Sequence, residues 1–155
     1  MADFAIGHFL CFLSGGNTVY RYQNFFINES ITYDSNPYVF VPFGFSGVTV
    51  NKTGDGIDSD LVFPNNTISR SWADDALRNS WIAYVRTLIV DPDDKTSFSL
   101  LSQYYGAVDA GSWDDTTLKL TLNTVLDAVG NEFPRRRLNQ QLCGEIPTTS
   151  SVRLQ

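Results

Sequence analysis

The run from Trp81 to Leu126, "WIAYVRTLIVDPDDKTSFSLLSQYYGAVDAGSWDDTTLKLTLNTVL", decides the fold. Three stretches rich in Val, Ile, Leu, Thr, Tyr and Phe alternate with turn-forming clusters. "WIAYVRTLIV" stops at "DPDDKT", and "SFSLLSQYYGAVDA" stops at "GSWDDT". "TLKLTLNTVL" then sets Leu118, Leu120 and Leu122 on one face before the break at Gly130. Consecutive strands of about ten residues exceed the usual five or six. The expectation is a strongly twisted antiparallel sheet, closed or folded into a barrel or sandwich.

The upstream sequence has the same rhythm. "FAIGHFLCFL", the turn "SGGN" and "TVYRYQNFF" predict an opening hairpin. "SITY" and "YVFVPF" flank "DSNP", whose four residues each favour a turn, and predict a second. "SGVTVNKTGDGIDSDLVFP" predicts a third, with Val48 and Val50 in its first strand and Leu61 to Phe63 in its second. One helix of two or three turns is expected in "SRSWADDALRNSW", with Ser71 as N-cap and Asp74 and Asp75 in a first turn where the helix dipole favours carboxylates.

A chain of 155 residues is one domain on size grounds and encloses a core without metals or disulfides. Its 14% aromatic content is more than an isolated soluble monomer needs, which points to partner surfaces. Charge is divided along the chain. Met1 to Asn131 carries seven Lys/Arg against fifteen Asp/Glu, whereas Glu132 to Gln155 carries four Arg against two Glu. A net charge of −6 with one Arg triplet argues against sequence-specific nucleic-acid binding, which needs a clustered positive face. The apolar run Ala5 to Leu13 has no basic flank and is too short to span a bilayer, so neither a signal peptide nor a membrane role is expected. The sequons at Asn28, Asn51 and Asn65 then read as chance matches in turns, and Cys11 and Cys143 as reduced thiols.

Candidate chemistry is sparse. The pairs Asp74/Asp75, Asp93/Asp94 and Asp114/Asp115 sit where turns and helix starts already favour Asp, and adjacent strand residues point to opposite faces, so they read as structural. Asp55, Asp58 and Asp60 in "GDGIDSD" offer oxygen ligands to Ca²⁺ but lack the EF-hand spacing. His8 lies in an apolar strand with no nucleophile motif beside it, and "SGGN" lacks the Lys and helix of a phosphate loop. No catalytic residue, metal ligand or cofactor is expected.

The order of the pieces carries more. "YRYQNFFINESITYDSNPYVFVPFGFSGVTV", an Asp/Gly hairpin, a short helix, "VRTLIVDPDD", "YYGAVDAGSW" and "LKLTLNTVLDAVGNEFPRRR" together resemble the small β-domain of the phage minor tail protein L family and related tail-tip or baseplate hub proteins. The opening strand phrase of that group corresponds to Tyr38 to Pro42, and its closing phrase to Phe133, Pro134, Arg135 and Arg136. The resemblance spans roughly Val19 to Arg137. It implies a mainly β, twisted antiparallel barrel of the tail-tube and hub type with one short helix, repeated around a phage tail axis. Larger members of the group carry a C-terminal cysteine cluster holding an iron–sulfur centre. Here only Cys143 follows the Pro-Arg phrase, so no cluster carries over.

On this reading residues 1–134 form a hub-like β domain and residues 135–155 an extended C-terminal arm. The implied function is a non-enzymatic subunit of a phage tail tip or baseplate, assembled in the host cytoplasm as a trimeric or hexameric ring. Its partners are tail-tube, hub, fibre or tail-tip neighbours. Arg135, Arg136 and Arg137 are the candidate assembly residues, with Asp93, Asp94, Asp114 and Asp115 as acceptors on adjacent copies and Trp113 as an exposed aromatic anchor. The rival readings are a carbohydrate-binding β-sandwich with Trp113, Tyr104 and Tyr105 as stacking platforms, and a small hydrolase built on Asp pairs and His8.

Overall fold

The computed structural model describes residues 4–48 and 59–124. In chain order the elements are β1 (Ala5–Ser14), β2 (Asn17–Gln23), β3 (Ser30–Tyr33), β4 (Asn36–Phe40), β5 (Gly44–Phe45), β6 (Ser59–Pro64), α1 (Thr67–Arg78), β7 (Ile82–Val90), β8 (Phe98–Trp113) and β9 (Thr117–Thr124). The nine strands form one sheet ordered β3-β4-β2-β1-β7-β8-β9-β6-β5. Among the described residues the expected mainly β architecture with a single helix is present. Closure into a barrel is not: among the described residues β3 and β5 are the two edge strands, each paired on one side only, and the sheet is open and sandwich-like. Nor is it wholly antiparallel, because β2 and β4 run parallel at Tyr22↔Val39 and Gln23↔Phe40.

Two predicted hairpins form around two-residue turns. Gly15 and Gly16 take φ of 57° and 86° between the paired Ser14 and Asn17. Asp34 and Ser35 take φ of 51° and 59° between Tyr33 and Asn36, a left-handed pair that suits the twist of the flanking strands. The second turn is therefore Asp-Ser, and Asn36 and Pro37 already belong to β4. In the third hairpin, β5 pairs with β6 at Phe45↔Leu61; Val48 lies beyond β5, and Val50 lies outside the described residues.

The helix begins four residues before the expected N-cap. Asn66 Oδ1 accepts the N–H groups of Ile68 and Ser69, both at 3.0 Å, while Ser69 Oγ accepts the Asn66 N–H at 3.1 Å. This reciprocal cap outcompetes Ser71, whose hydroxyl instead donates to the Ile68 carbonyl, and it leaves Asp74 and Asp75 in the helix interior.

β1 explains the continuous apolar run near the N-terminus. Its alternating side chains serve two cores. Leu10 and Phe12 join Tyr22, Phe63, Trp72 and Trp81 in the larger core, which α1 covers, and Phe9 joins Ile31, Tyr38, Leu88 and Val90 in a smaller one on the opposite face beneath the β3–β4 hairpin. Full burial of each such aromatic contributes about 1.5–3 kcal/mol, so a strand that is apolar on both faces anchors both layers. Burial also pushes the Tyr22 phenol up to about 12, with Tyr20 adding to the shift.

β8, with sixteen residues, is the longest strand. It divides its partners: Phe98 to Ala107 pair with β7, and Gly106 to Trp113 pair with β9, with register breaks near Leu101 and Asp109. The strand runs three residues past its expected end, placing Trp113 opposite Leu118.

Candidate functional site

The sixteen residues of β8 separate the acidic turns by about 50 Å along the strand, so they are two surfaces and not one. At one end, the β8–β9 turn is locked by Asp114. Its carboxylate accepts the N–H groups of Thr116 (2.8 Å) and Thr117 (2.7 Å) and both threonine hydroxyls (3.0 and 2.9 Å). These four donors favour the ionised form and hold the carboxyl at about 2. Asp115 and Trp113 flank the turn, both exposed, the indole at 61%. The start of α1 meets this end: the Asn65 amide donates to the Asp114 carbonyl, and Arg70 Nε donates to Asn65 Oδ1 at 2.5 Å. A cleft of about 280 Å³ lies between them, lined by Asn65, Arg70, Ala73, Asp74, Trp113 and Leu118.

At the other end is the β7–β8 loop. Asp94 Oδ1 accepts the Thr96 hydroxyl at 2.6 Å and the Thr96 N–H at 3.0 Å, which lowers its pKa, and Asp91 accepts the Asp93 N–H at 3.0 Å. The Asp93 carboxylate has no partner among the described residues. Lys95 is bound to Glu29 at 2.5 Å, tying the loop to the β2–β3 connection. Arg135, Arg136 and Arg137 lie outside the described residues.

The remaining candidates are structural. His8 is half-buried: its Nδ1 lies 3.2 Å from the Thr87 hydroxyl, its ring meets Phe45 edge-on, and burial lowers its pKa. Cys11 is a buried free thiol, and Cys143 lies outside the described residues. Asp60 is neutralised by Lys119 at 2.9 Å, while Asp55 and Asp58 lie outside the described residues. Among the described residues no three His, Cys, Asp or Glu side chains converge as metal ligands, and no helix is long and apolar enough to cross a membrane. The three aromatics of the carbohydrate reading do not share a platform: Tyr104 is buried, and Tyr105 and Trp113 stand eight residues apart on β8.

One cluster escaped the sequence reading. Arg86 lies 4.6 Å from the Tyr84 ring centroid and 5.3 Å from that of Tyr33, with Asp34 at 3.7 Å, and Tyr84 stacks on Tyr105 with centroids 3.9 Å apart. The spacing of Tyr84 and Arg86 puts them on one strand face, but Tyr33 and Tyr105 join them only through a register that the sequence does not state.

No protein-family model matches the chain, and no curated protein matches it. Among solved structures it is similar to a chain of the virion of native gene transfer agent (GTA) particle, with a TM-score of 0.57 and 14% identity over 84% of its own length. It spans less than half of that chain, 44%, and at this identity the likeness is one of fold.

Proposed function

We propose that the chain is a non-catalytic structural subunit of a phage-like virion, positioned at the tail tip or baseplate, where copies assemble around the tail axis and link the tail tube to hub or fibre proteins. The observation that carries this reading is the fold likeness, over 84% of the chain, to a component of a virion. The order of sequence phrases shared with tail-tip proteins supports the finer location. In this reading residues 1–134 are the body and residues 135–155 an arm that reaches a neighbour, in a ring of three or six copies.

Arg135, Arg136 and Arg137 meet acids of the adjacent copy, with Trp113 as anchor. Asp94 and Asp114 already hold their own turns, so Asp93 and Asp115 are the acceptors with carboxylates to offer. Each contact contributes about 1.5–3 kcal/mol where desolvated, and about 0–1 kcal/mol if left in solvent.

The test is to tag the chain in the cell that produces the particle, purify particles, and combine immunogold microscopy with quantitative mass spectrometry. Label at one end of the tail, at three or six copies per particle, is the expected result. Particles without the chain would overturn the reading.

A further inference from the structure

Arg86 is a largely buried charge whose only ion pair among the described residues is a loose one. It sits at the middle of β7 with its side chain 19% exposed, and its guanidinium lies over two rings, 4.6 Å from the Tyr84 centroid and 5.3 Å from that of Tyr33. The Asp34 carboxylate stands 3.7 Å away, beyond hydrogen-bond distance, and is 70% exposed on the β3–β4 turn. Such a pair adds little, whereas a guanidinium taken mostly out of water needs a hydrogen-bonded counter-ion. Stacking against aromatic faces fixes the plane of the fork and leaves N–H groups at its edge to donate. Tyr84 is itself braced by Tyr105, stacked with centroids 3.9 Å apart. A cleft of about 370 Å³ opens beside the guanidinium, lined by Tyr33, Asp34, Tyr84, Arg86, Leu100 and Gln103.

We propose that this cleft binds a sugar acid, a pyranose whose carboxylate becomes the counter-ion of Arg86. The planar carboxylate matches the guanidinium fork. Gln103 is the cross-strand neighbour of Arg86, and because its Oε1 accepts the Tyr84 hydroxyl at 2.7 Å, its Nε2 remains to donate to the same carboxylate or to a ring hydroxyl. Tyr33, Tyr84 and Leu100 provide apolar walls for the C–H face of the ring. Charge selects the anion. A monoanionic carboxylate takes over from Asp34, which gives way on its exposed turn, whereas a phosphate dianion brings a second charge beside Asp34. The main chain selects against a peptide. Tyr84 and Arg86 are paired on both sides, with β1 and with β8, so their backbone groups are spent in the ladder and the floor of the cleft offers side chains alone. An extended peptide is held by main-chain hydrogen bonds at a sheet edge, and a compact sugar ring needs none. The proposal holds or fails independently of any role in a virion.

Calorimetric titration of the full chain with methyl glucuronide provides the test. Saturable binding at millimolar ligand is expected, at least about tenfold tighter than for methyl glucoside, which lacks the charge, or for inorganic phosphate, which lacks the ring. Asp34→Asn keeps the turn, because asparagine tolerates the positive φ of 51°, and removes the competing carboxylate, so affinity should rise about threefold. Gln103→Ala, at an exposed position, should lower affinity about fivefold while leaving the unfolding midpoint in place. Arg86→Lys keeps the charge without the fork and should abolish measurable binding; if that variant does not fold, the Asp34 and Gln103 variants decide. Absence of binding at about 20 mM methyl glucuronide would overturn the proposal. Equal affinity for methyl glucoside, for phosphate or for a glutamate-containing tripeptide would also overturn it, as would an affinity that falls in Asp34→Asn.

Discussion

Replacing Gln23 with methionine should cost the fold about 3 kcal/mol. Gln23 is fully buried at the end of β2, and its carboxamide organises the β2–β3 connection. Oε1 accepts the N–H groups of Phe25 (2.8 Å) and Phe26 (2.7 Å), and Nε2 donates to the carbonyls of Phe26 (2.7 Å) and Glu29 (3.1 Å). Methionine has nearly the same volume and leaves no cavity, so the change isolates the polar term. Four hydrogen bonds at about 0.5–1.5 kcal/mol each give about 2–6 kcal/mol. The lower half is expected, because the connection can shift enough to admit water to the Glu29 carbonyl. In urea, with a slope of about 1–3 kcal/mol/M, the midpoint should fall by about 1–3 M at unchanged slope. Gln103→Met is the control: Gln103 is exposed and accepts a single hydrogen bond, from the Tyr84 hydroxyl, so its loss should stay within about 0.5 kcal/mol. A Gln23→Met loss no larger than the control's would refute the reasoning that these buried bonds hold the smaller core's connection.

Asn66→Ala should destabilise by about 1 kcal/mol, read from thermal or urea unfolding, and Asn66→Asp should recover most of it, because an Asp side chain can also accept the first-turn N–H groups. Asp114 has a folded-state pKa near 2 against an ordinary 3.8, so its contribution is present above about pH 4 and is lost as pH falls from there toward 2. Asp114→Ala should flatten the stability profile in that window, and a carboxyl titration by NMR should give a midpoint near 2 in the parent chain. Trp113→Ala should leave monomer stability within about 0.5 kcal/mol, because the indole is exposed, yet weaken self-association measured by sedimentation. Lysine at both Asp93 and Asp115 should weaken association further without altering the unfolding midpoint.

What the sequence disclosed follows from how local each signal is. Both early hairpins are legible because the turn and its flanking strands lie within a few residues, and the period-two leucines of β9 mark their core face directly. Four features depend on the rest of the molecule. Asn66 and Ser71 are both competent caps, and the choice fell to Asn66 because Ser69 supplies the reciprocal half of the motif and Asn65 is bound at the β8–β9 turn. The parallel pairing of β2 with β4 arises because the β3–β4 hairpin folds over the Phe9 face, a long-range packing choice. Gln23 reads as an ordinary polar strand residue until the chain after it curls back onto its carboxamide. Among the acids, composition locates the pairs but cannot say which member of a pair holds its turn, a distinction that needs the hydrogen bonds.

The division of β1 between two cores also determines where the molecule can meet others. Its inner face is closed by α1 and much of its outer face by the β3–β4 hairpin, so those broad faces are committed to folding. Part of the exposed apolar surface lies at the two ends of β8. Phe4, Ile6, Leu100 and Leu101 lie toward the end where β1 begins opposite Val90, and Trp113 stands beside the acidic β8–β9 turn at the other. The two ends are chemically unlike: one is apolar beside a loop already neutralised in part by the Lys95–Glu29 pair, and the other is an aromatic in an acidic turn. Under the proposed role, contacts between different surfaces of successive copies generate a ring when the rotation closes and a stack when it does not. Under the proposed role, closure is then set by the angle between the two ends of β8, and the register breaks near Leu101 and Asp109 are the places where that angle is determined.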